Sequence, residues 1–202
     1  MVNSSVIGAV SLIAVRTFGA SMFLYAYHMS RRKSALFLAL THVAGIFEVV
    51  FDLAGMSVEN FFIALAFALA SAGLFYLIWE DSSRPFMKGL YRAAFILLLI
   101  LGVADSILKK DLPPWDIYFL GGFLIMMLGI LGMDVLSRNY GRDGKMLGIF
   151  VSLSGLLSII YPLPYQYGLT AHKLLPSVQI VAVVLGIGSL YFYYRVIFSR
   201  AS

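Results

Sequence analysis

The sequence predicts an all-α integral membrane protein, a bundle of seven transmembrane helices. Hydrophobic residues make up 61% of the 202 residues and charged residues only 12%, about half the charged fraction of a typical soluble domain. The apolar residues are gathered into runs long enough to cross a bilayer, which takes roughly 20 residues as a helix. We therefore predict a multi-pass protein of the cell membrane, with residues 1–202 forming a single membrane domain.

Seven apolar runs meet this length requirement. Short segments rich in proline, glycine, asparagine and aspartate separate them, and these residues interrupt helices. Because the connections are short, consecutive helices are expected to be antiparallel neighbours. The predicted helices cover residues 5–29, 34–55, 60–80, 89–109, 115–136, 145–161 and 175–198.

The basic residues predict the orientation of the bundle. Eleven of the 15 lysines and arginines fall on one side, three on the other, and Arg16 lies within a helix. The side with the excess faces the cytoplasm. The N-terminus is therefore predicted outside and the C-terminus in the cytoplasm, which requires an odd number of crossings. The eleven residues are Arg31, Arg32, Lys33, Arg84, Lys88, Arg92, Arg138, Arg142, Lys145, Arg195 and Arg200.

Ionisable residues inside the predicted helices are the candidates for a ligand site. Glu48 and Asp52 stand one turn apart on one face of the second helix, with His42 on its flank. Arg16 lies about 15 Å below the outer end of the first helix, and Glu48 about 10 Å below that of the second. Asp105 lies near the outer end of the fourth helix. An arginine can extend several ångströms along its own stem, so Arg16 is expected to meet Glu48.

Two interpretations of this set stay open. In the first, the residues line a polar pocket among helices 1, 2 and 4 that opens to the outside, with Arg16 as its cation, since intramembrane charges usually mark function. In the second, Arg16 and Glu48 form a structural ion pair that locks two helices, and the other carboxylates lie in water. Asp134 and Arg138, one turn apart near the inner face, are expected to form an ordinary surface pair.

The sequence lacks the residues and motifs that most enzymes and cofactor-binding proteins require. There is no cysteine, and His28 and His172 are predicted on opposite faces of a bilayer about 30 Å thick, so no metal site is expected. Nucleotide-binding and serine-hydrolase motifs are absent, as is a lysine for retinal in residues 179–194. No cofactor is expected. The basic residues follow membrane topology, which argues against nucleic acid. Hydrolysis by Glu48 and Asp52 is the enzymatic alternative left open.

Residues 23–40, continuing to 51–55 and 73–77, resemble the seven-helix input modules of prokaryotic membrane sensors. The likeness covers roughly the first 80 residues and includes tyrosines before an Arg31-Arg32 turn. Such modules occur fused to output domains, whereas this sequence ends at Ser202, just past the last predicted helix. The resemblance therefore implies a separate cytoplasmic output protein.

The sequence thus supports three hypotheses. The first is a receptor- or sensor-like module that binds a small or lipidic ligand in the outward-facing pocket. The second is a small transporter or channel that moves protons or a solute along a path lined by Arg16, Glu48, Asp52 and Asp105. The third is a structural or lipid-organising subunit. A polar path that reaches both faces would favour transport.

The helix glycines permit close packing within one chain or across a homodimer. They include Gly121, Gly122, Gly129 and Gly132.

Overall fold

A computed structural model describes residues 4–79, 85–108, 115–162 and 175–198, and these are helical except for short turns. These residues form six helices and no strand, which confirms the all-α class. Five of the helices, all except α4, are long and apolar enough to cross a membrane, as expected of a multi-pass membrane protein. The helices are α1 (Ser4–Ser30), α2 (Lys33–Leu53), α3 (Glu59–Trp79), α4 (Pro85–Leu108), α5 (Trp115–Ile160) and α6 (Leu175–Phe198).

The chain divides into two compact units, and the first contains α1, α2, most of α3 and α4. In this unit α1 and α2 run antiparallel, with Phe23 stacked on His42 at 5.5 Å between ring centroids. Aromatic side chains also join α2 to α3, because Phe37 stacks on Tyr76 at 5.2 Å. Large apolar rings at these contacts bury much area and fix the helices against each other.

Close backbone approach joins α3 to α4. A side chain added at Gly102 of α4 would place its Cβ 2.6 Å from the Cβ of Ala64 and 3.1 Å from the Cα of Phe61. The Ser106 hydroxyl donates to the Gly102 carbonyl at 2.8 Å and accepts from the Phe61 N–H at 3.1 Å. Ser106 therefore satisfies one of the N–H groups that the first turn of a helix leaves without an intrahelical partner.

The second unit contains α5 and α6, together with residues 78–80. At 46 residues, α5 would be about 69 Å long if straight, more than twice the thickness of a bilayer. Gly141, with φ 58° and ψ −136°, breaks it into two halves. The halves pack antiparallel, since a Cβ at Gly122 would lie 2.7 Å from the Gly155 carbonyl oxygen and one at Gly129 would lie 2.7 Å from the Ser152 nitrogen.

The connection inside α5 differs from the sequence prediction, which placed an interruption over residues 137–144 between two separate helices. Both halves keep helical geometry up to Gly141, so a single residue makes the reversal. A glycine can adopt a positive φ without a steric penalty, and one such residue is enough to redirect the backbone.

The last helix, α6, packs on the second half of α5, where Phe150 and Phe192 have ring centroids 5.5 Å apart.

Replacing Gly141 with alanine is expected to lower the free energy of unfolding by about 1–3 kcal/mol, because a residue with a side chain rarely adopts a positive φ together with a ψ of −136°. Open space surrounds the position, with no atom within 4 Å of an added Cβ, so the cost is conformational. Gly186→Ala is the matched control, since it adds the same methyl in equally open space within helical α6. Thermal unfolding in one detergent compares the variants. Equal melting temperatures for both would contradict the reversal at Gly141.

Candidate functional site

An ion pair between α1 and α2 forms the centre of the candidate site. Arg16 Nη2 lies 3.6 Å from Glu48 Oε2, and the two side chains are 33% and 22% exposed. The predicted meeting of these two residues is therefore present. A charge-assisted hydrogen bond between such groups is usually about 2.7–2.9 Å long. The longer separation leaves most of the five N–H donors of the guanidinium for other partners.

Two glycines on the facing helices make room for polar side chains. A Cβ at Gly45 would lie 2.7 Å from Arg16 Cζ, and a Cβ at Gly19 would lie 2.6 Å from His42 Cε1. Arg16 of α1 therefore packs against Gly45 of α2, and His42 of α2 packs against Gly19 of α1. The imidazole of His42 lies between Gly19 and the ring of Phe23, and its Nδ1 is buried without a hydrogen-bond partner among the described residues.

Glu59, which the sequence prediction placed in a connecting segment, joins the cluster at the first residue of α3. Its carboxyl group lies beside that of Asp52 and within electrostatic range of Glu48. Three carboxyl groups, two from α2 and one from α3, therefore lie together near the Arg16 guanidinium.

The turn between α2 and α3 brings the carboxyl groups of Asp52 and Glu59 together. Gly55 has φ 65°, the left-handed conformation that commonly ends a helix. Its N–H donates to the Asp52 carbonyl at 2.9 Å, and the Glu59 N–H donates to the Met56 carbonyl at 3.2 Å. The chain thus reverses within a few residues, and Glu59 returns to the level of Asp52. The sequence feature that could have predicted this reversal is Gly55, five residues before the start of the predicted third helix.

Asp105, the remaining member of the predicted set, lies on α4 and is 1% exposed. In the sequence it lies between Gly102 and Ser106, through which α4 contacts α3. The described contacts gather Arg16, Glu48 and Asp52 from α1 and α2 with Glu59 from α3.

Other sequence candidates lie elsewhere. Arg138 Nη2 and Asp134 Oδ2 form an exposed ion pair at 2.8 Å within α5, the arrangement expected of an ordinary surface pair. His28 is exposed near the end of α1, and His172 lies outside the described residues. Among the part of the chain that the structure describes, no three histidine, aspartate or glutamate side chains are placed to hold a metal ion.

The charged residues occupy one half of the α1–α3 group. Toward the Lys33 end of α2, the contacts beyond His42 include aromatic and aliphatic side chains, together with the buried Ser34. Phe37 stacks on Tyr76, and a Cβ at Gly73 would lie 2.7 Å from Leu38 Cγ. The Lys33 ammonium lies over the Tyr76 ring at 5.7 Å, at the end of this apolar stretch. The charged cluster therefore lies toward the α2–α3 turn, and stacked aromatic side chains lie toward the opposite end of these helices.

Comparisons with known proteins found no match: no protein-family model, no curated protein and no solved structure is significantly similar to the chain. The resemblance of the first 80 residues to sensor input modules stays a prediction.

Proposed function

We propose that the chain is a receptor- or sensor-like membrane module that binds a small or lipidic ligand at the Arg16–Glu48–Asp52–Glu59 cluster. The observation that carries this proposal is the placement of Arg16, Glu48, Asp52 and Glu59 together toward the α2–α3 turn, with Phe37 stacked on Tyr76 toward the opposite end of these helices. A site open to one face suits binding, because transport needs access from both faces. The bound state would be read by a separate cytoplasmic protein through small helix shifts.

We propose a seven-crossing topology for this arrangement. It counts the two halves of α5 on either side of Gly141 as separate crossings. It also counts α4, which at 24 residues is long enough to span a bilayer, although it is not among the five helices found both long and apolar enough to do so. With α1, α2, α3 and α6 these make seven. Under the positive-inside rule the N-terminus is then outside, and the cluster at the α2–α3 turn faces outward.

The charges of the cluster narrow the chemistry of the ligand. The cluster combines one guanidinium, that of Arg16, with the three carboxyl groups of Glu48, Asp52 and Glu59. A ligand with a cationic or hydrogen-bond-donor group can bind these carboxyl groups, and an acceptor group on the same ligand can bind the remaining donors of Arg16. We therefore propose a small amphoteric molecule or a lipid headgroup of this kind.

Native mass spectrometry of gently solubilised protein tests the proposal. Wild type is compared with Arg16→Met and with Arg138→Gln, which removes an exposed arginine outside the cluster. We expect a co-purified molecule in the wild type and in Arg138→Gln, and its loss in Arg16→Met. Retention of the same molecule by all three proteins would contradict binding at the cluster.

The same protein preparations test the alternative of transport against the receptor proposal. In that alternative a path for protons or a solute is lined by Arg16, Glu48, Asp52 and Asp105. Reconstitution into liposomes measures proton flux for wild type and for Glu48→Gln. Absence of flux above that of empty liposomes agrees with a one-sided site. Proton flux that Glu48→Gln abolishes, together with no co-purified molecule, would replace the receptor proposal with transport.

A further inference from the structure

A cleft of about 470 Å³ in the second unit lies beside the reversal of α5 and the final turns of α6. Its volume falls within the range of small-molecule sites, roughly 300–1,000 Å³. None of the residues of the Arg16–Glu48 cluster takes part in it. The cleft is lined by Tyr140, Arg142, Asp143, Met146, Tyr191, Phe192 and Arg195.

One ion pair organises the charges of the cleft. Arg195 Nε donates to Asp143 Oδ2 at 3.0 Å, which links α6 to the second half of α5. Arg142 precedes this aspartate and is exposed. Among the described residues no carboxylate forms a salt bridge with Arg142. Two arginines and one aspartate leave the lining with one positive charge, and that charge belongs to Arg142.

The cleft is amphipathic as well as cationic. Phe192 and Met146 supply apolar surface, and the hydroxyl groups of Tyr140 and Tyr191 are hydrogen-bonding groups on its wall. Arg195 lies in the last turn of α6, and Gly141 marks the end of the first half of α5. Helix ends of membrane-spanning segments lie at the bilayer surface, where arginine and tyrosine contact headgroups and apolar side chains contact acyl chains.

We propose that this cleft binds a phosphate ester, presented by an anionic phospholipid of the surrounding bilayer. The guanidinium of Arg142 is the principal cation, because its planar donors match phosphate oxygens. Arg195 keeps its orientation through Asp143 and turns its remaining donors to the same phosphate. Phe192 and Met146 contact the first carbons of the acyl chains. Free inorganic phosphate shares the recognised group, and the experiment separates the two sources.

The test compares Arg142→Gln with Arg138→Gln in the full chain, each purified in a neutral detergent. The two substitutions remove the same charge four residues apart, but Arg138 pairs with Asp134 and does not line the cleft. Phosphatidylglycerol, phosphatidylcholine and inorganic phosphate are titrated separately, and bound molecules are counted by native mass spectrometry. We expect phosphatidylglycerol to bind the wild type in preference to phosphatidylcholine, with affinity reduced at least about tenfold by Arg142→Gln and essentially unchanged by Arg138→Gln.

Each outcome decides the proposal. Binding of phosphatidylglycerol that depends on Arg142, without comparable binding of inorganic phosphate, supports a lipid site. Binding of inorganic phosphate with the same dependence, and none of phosphatidylglycerol, keeps the phosphate chemistry but overturns the lipid source. Equal losses in the two variants would overturn the site, because they would indicate a diffuse basic surface. Melting temperatures equal to that of the wild type establish that both variants are folded.

Discussion

Replacing Gly155 with leucine is expected to lower the free energy of unfolding by about 3 kcal/mol or more. Gly155 lies where the two halves of α5 approach each other, and an added Cβ there would overlap the backbone of Met126. Backbone atoms cannot rotate away as a flexible side chain can, so the two halves would have to separate. The loss is measured as a fall in the thermal midpoint of helix unfolding, followed by circular dichroism in detergent.

Gly186→Leu is the matched control for this prediction. Gly186 lies in α6 and has no atom within 4 Å of an added Cβ. Leucine there is expected to leave the midpoint unchanged or to raise it slightly, because leucine favours a helix more than glycine does. Equal midpoints for Gly155→Leu and Gly186→Leu would show that the halves of α5 do not pack through Gly155.

The second large effect is expected in methionine variants of Arg16 and Glu48, which measure separately what this ion pair contributes to stability and to binding. Each single methionine variant leaves one charge unpaired among apolar helices, which costs about 3 kcal/mol. The double variant, Arg16→Met with Glu48→Met, removes both charges and is expected to regain most of that stability, because apolar residues of similar size replace an ion pair well. Binding of the co-purified molecule is expected to stay lost in the double variant.

The exposed pair Asp134–Arg138 provides the comparison. Its side chains are 65% and 76% exposed, so single substitutions there are expected to change stability by less than about 1 kcal/mol. Stability losses that simply add in the Arg16–Glu48 double variant would contradict the coupling of these two residues. A double variant that regains stability and still retains the molecule would show that the pair is structural only.

Much of the first unit could be predicted from the sequence, because bilayer length and the spacing of charges are local properties. The predicted second helix, 34–55, agrees with α2, Lys33–Leu53, since its ends coincide with a basic turn and a glycine. The meeting of Arg16 and Glu48 follows from their depths along the helices and the length of the arginine side chain. These are statements about one helix, or about two helices joined by a short turn.

The features that the sequence prediction missed depend on contacts made after the chain turns. Glu59 reaches Asp52 only because Gly55 adopts a left-handed conformation, and a glycine in a loop does not by itself reveal its φ value. Gly19 and Gly45 receive polar side chains from the facing helix, which depends on the register between α1 and α2. The reversal at Gly141 could not be predicted for a similar reason. Residues 137–144 contain several residues that interrupt helices, and the sequence does not show which of them changes the direction of the chain.

We propose that the charged cluster opens to the outside of the cell and that, among the described residues of α1 to α3, no polar path continues to the other face. Because the chain contains no cysteine, single cysteines can be placed and labelled without background. Ser57→Cys lies in the α2–α3 turn beside the cluster, Ala39→Cys lies in the apolar half of α2 at a buried position, and Ser137→Cys lies beside the reversal of α5. A membrane-impermeant thiol reagent is applied to intact cells and, separately, to permeabilised cells.

We expect Ser57→Cys to react in intact cells, Ser137→Cys to react only after permeabilisation, and Ala39→Cys to react in neither. Reaction of Ser57→Cys only after permeabilisation would contradict the outward-facing site. Reaction of Ala39→Cys would contradict the one-sided site, because it would place water in the apolar half of the helices.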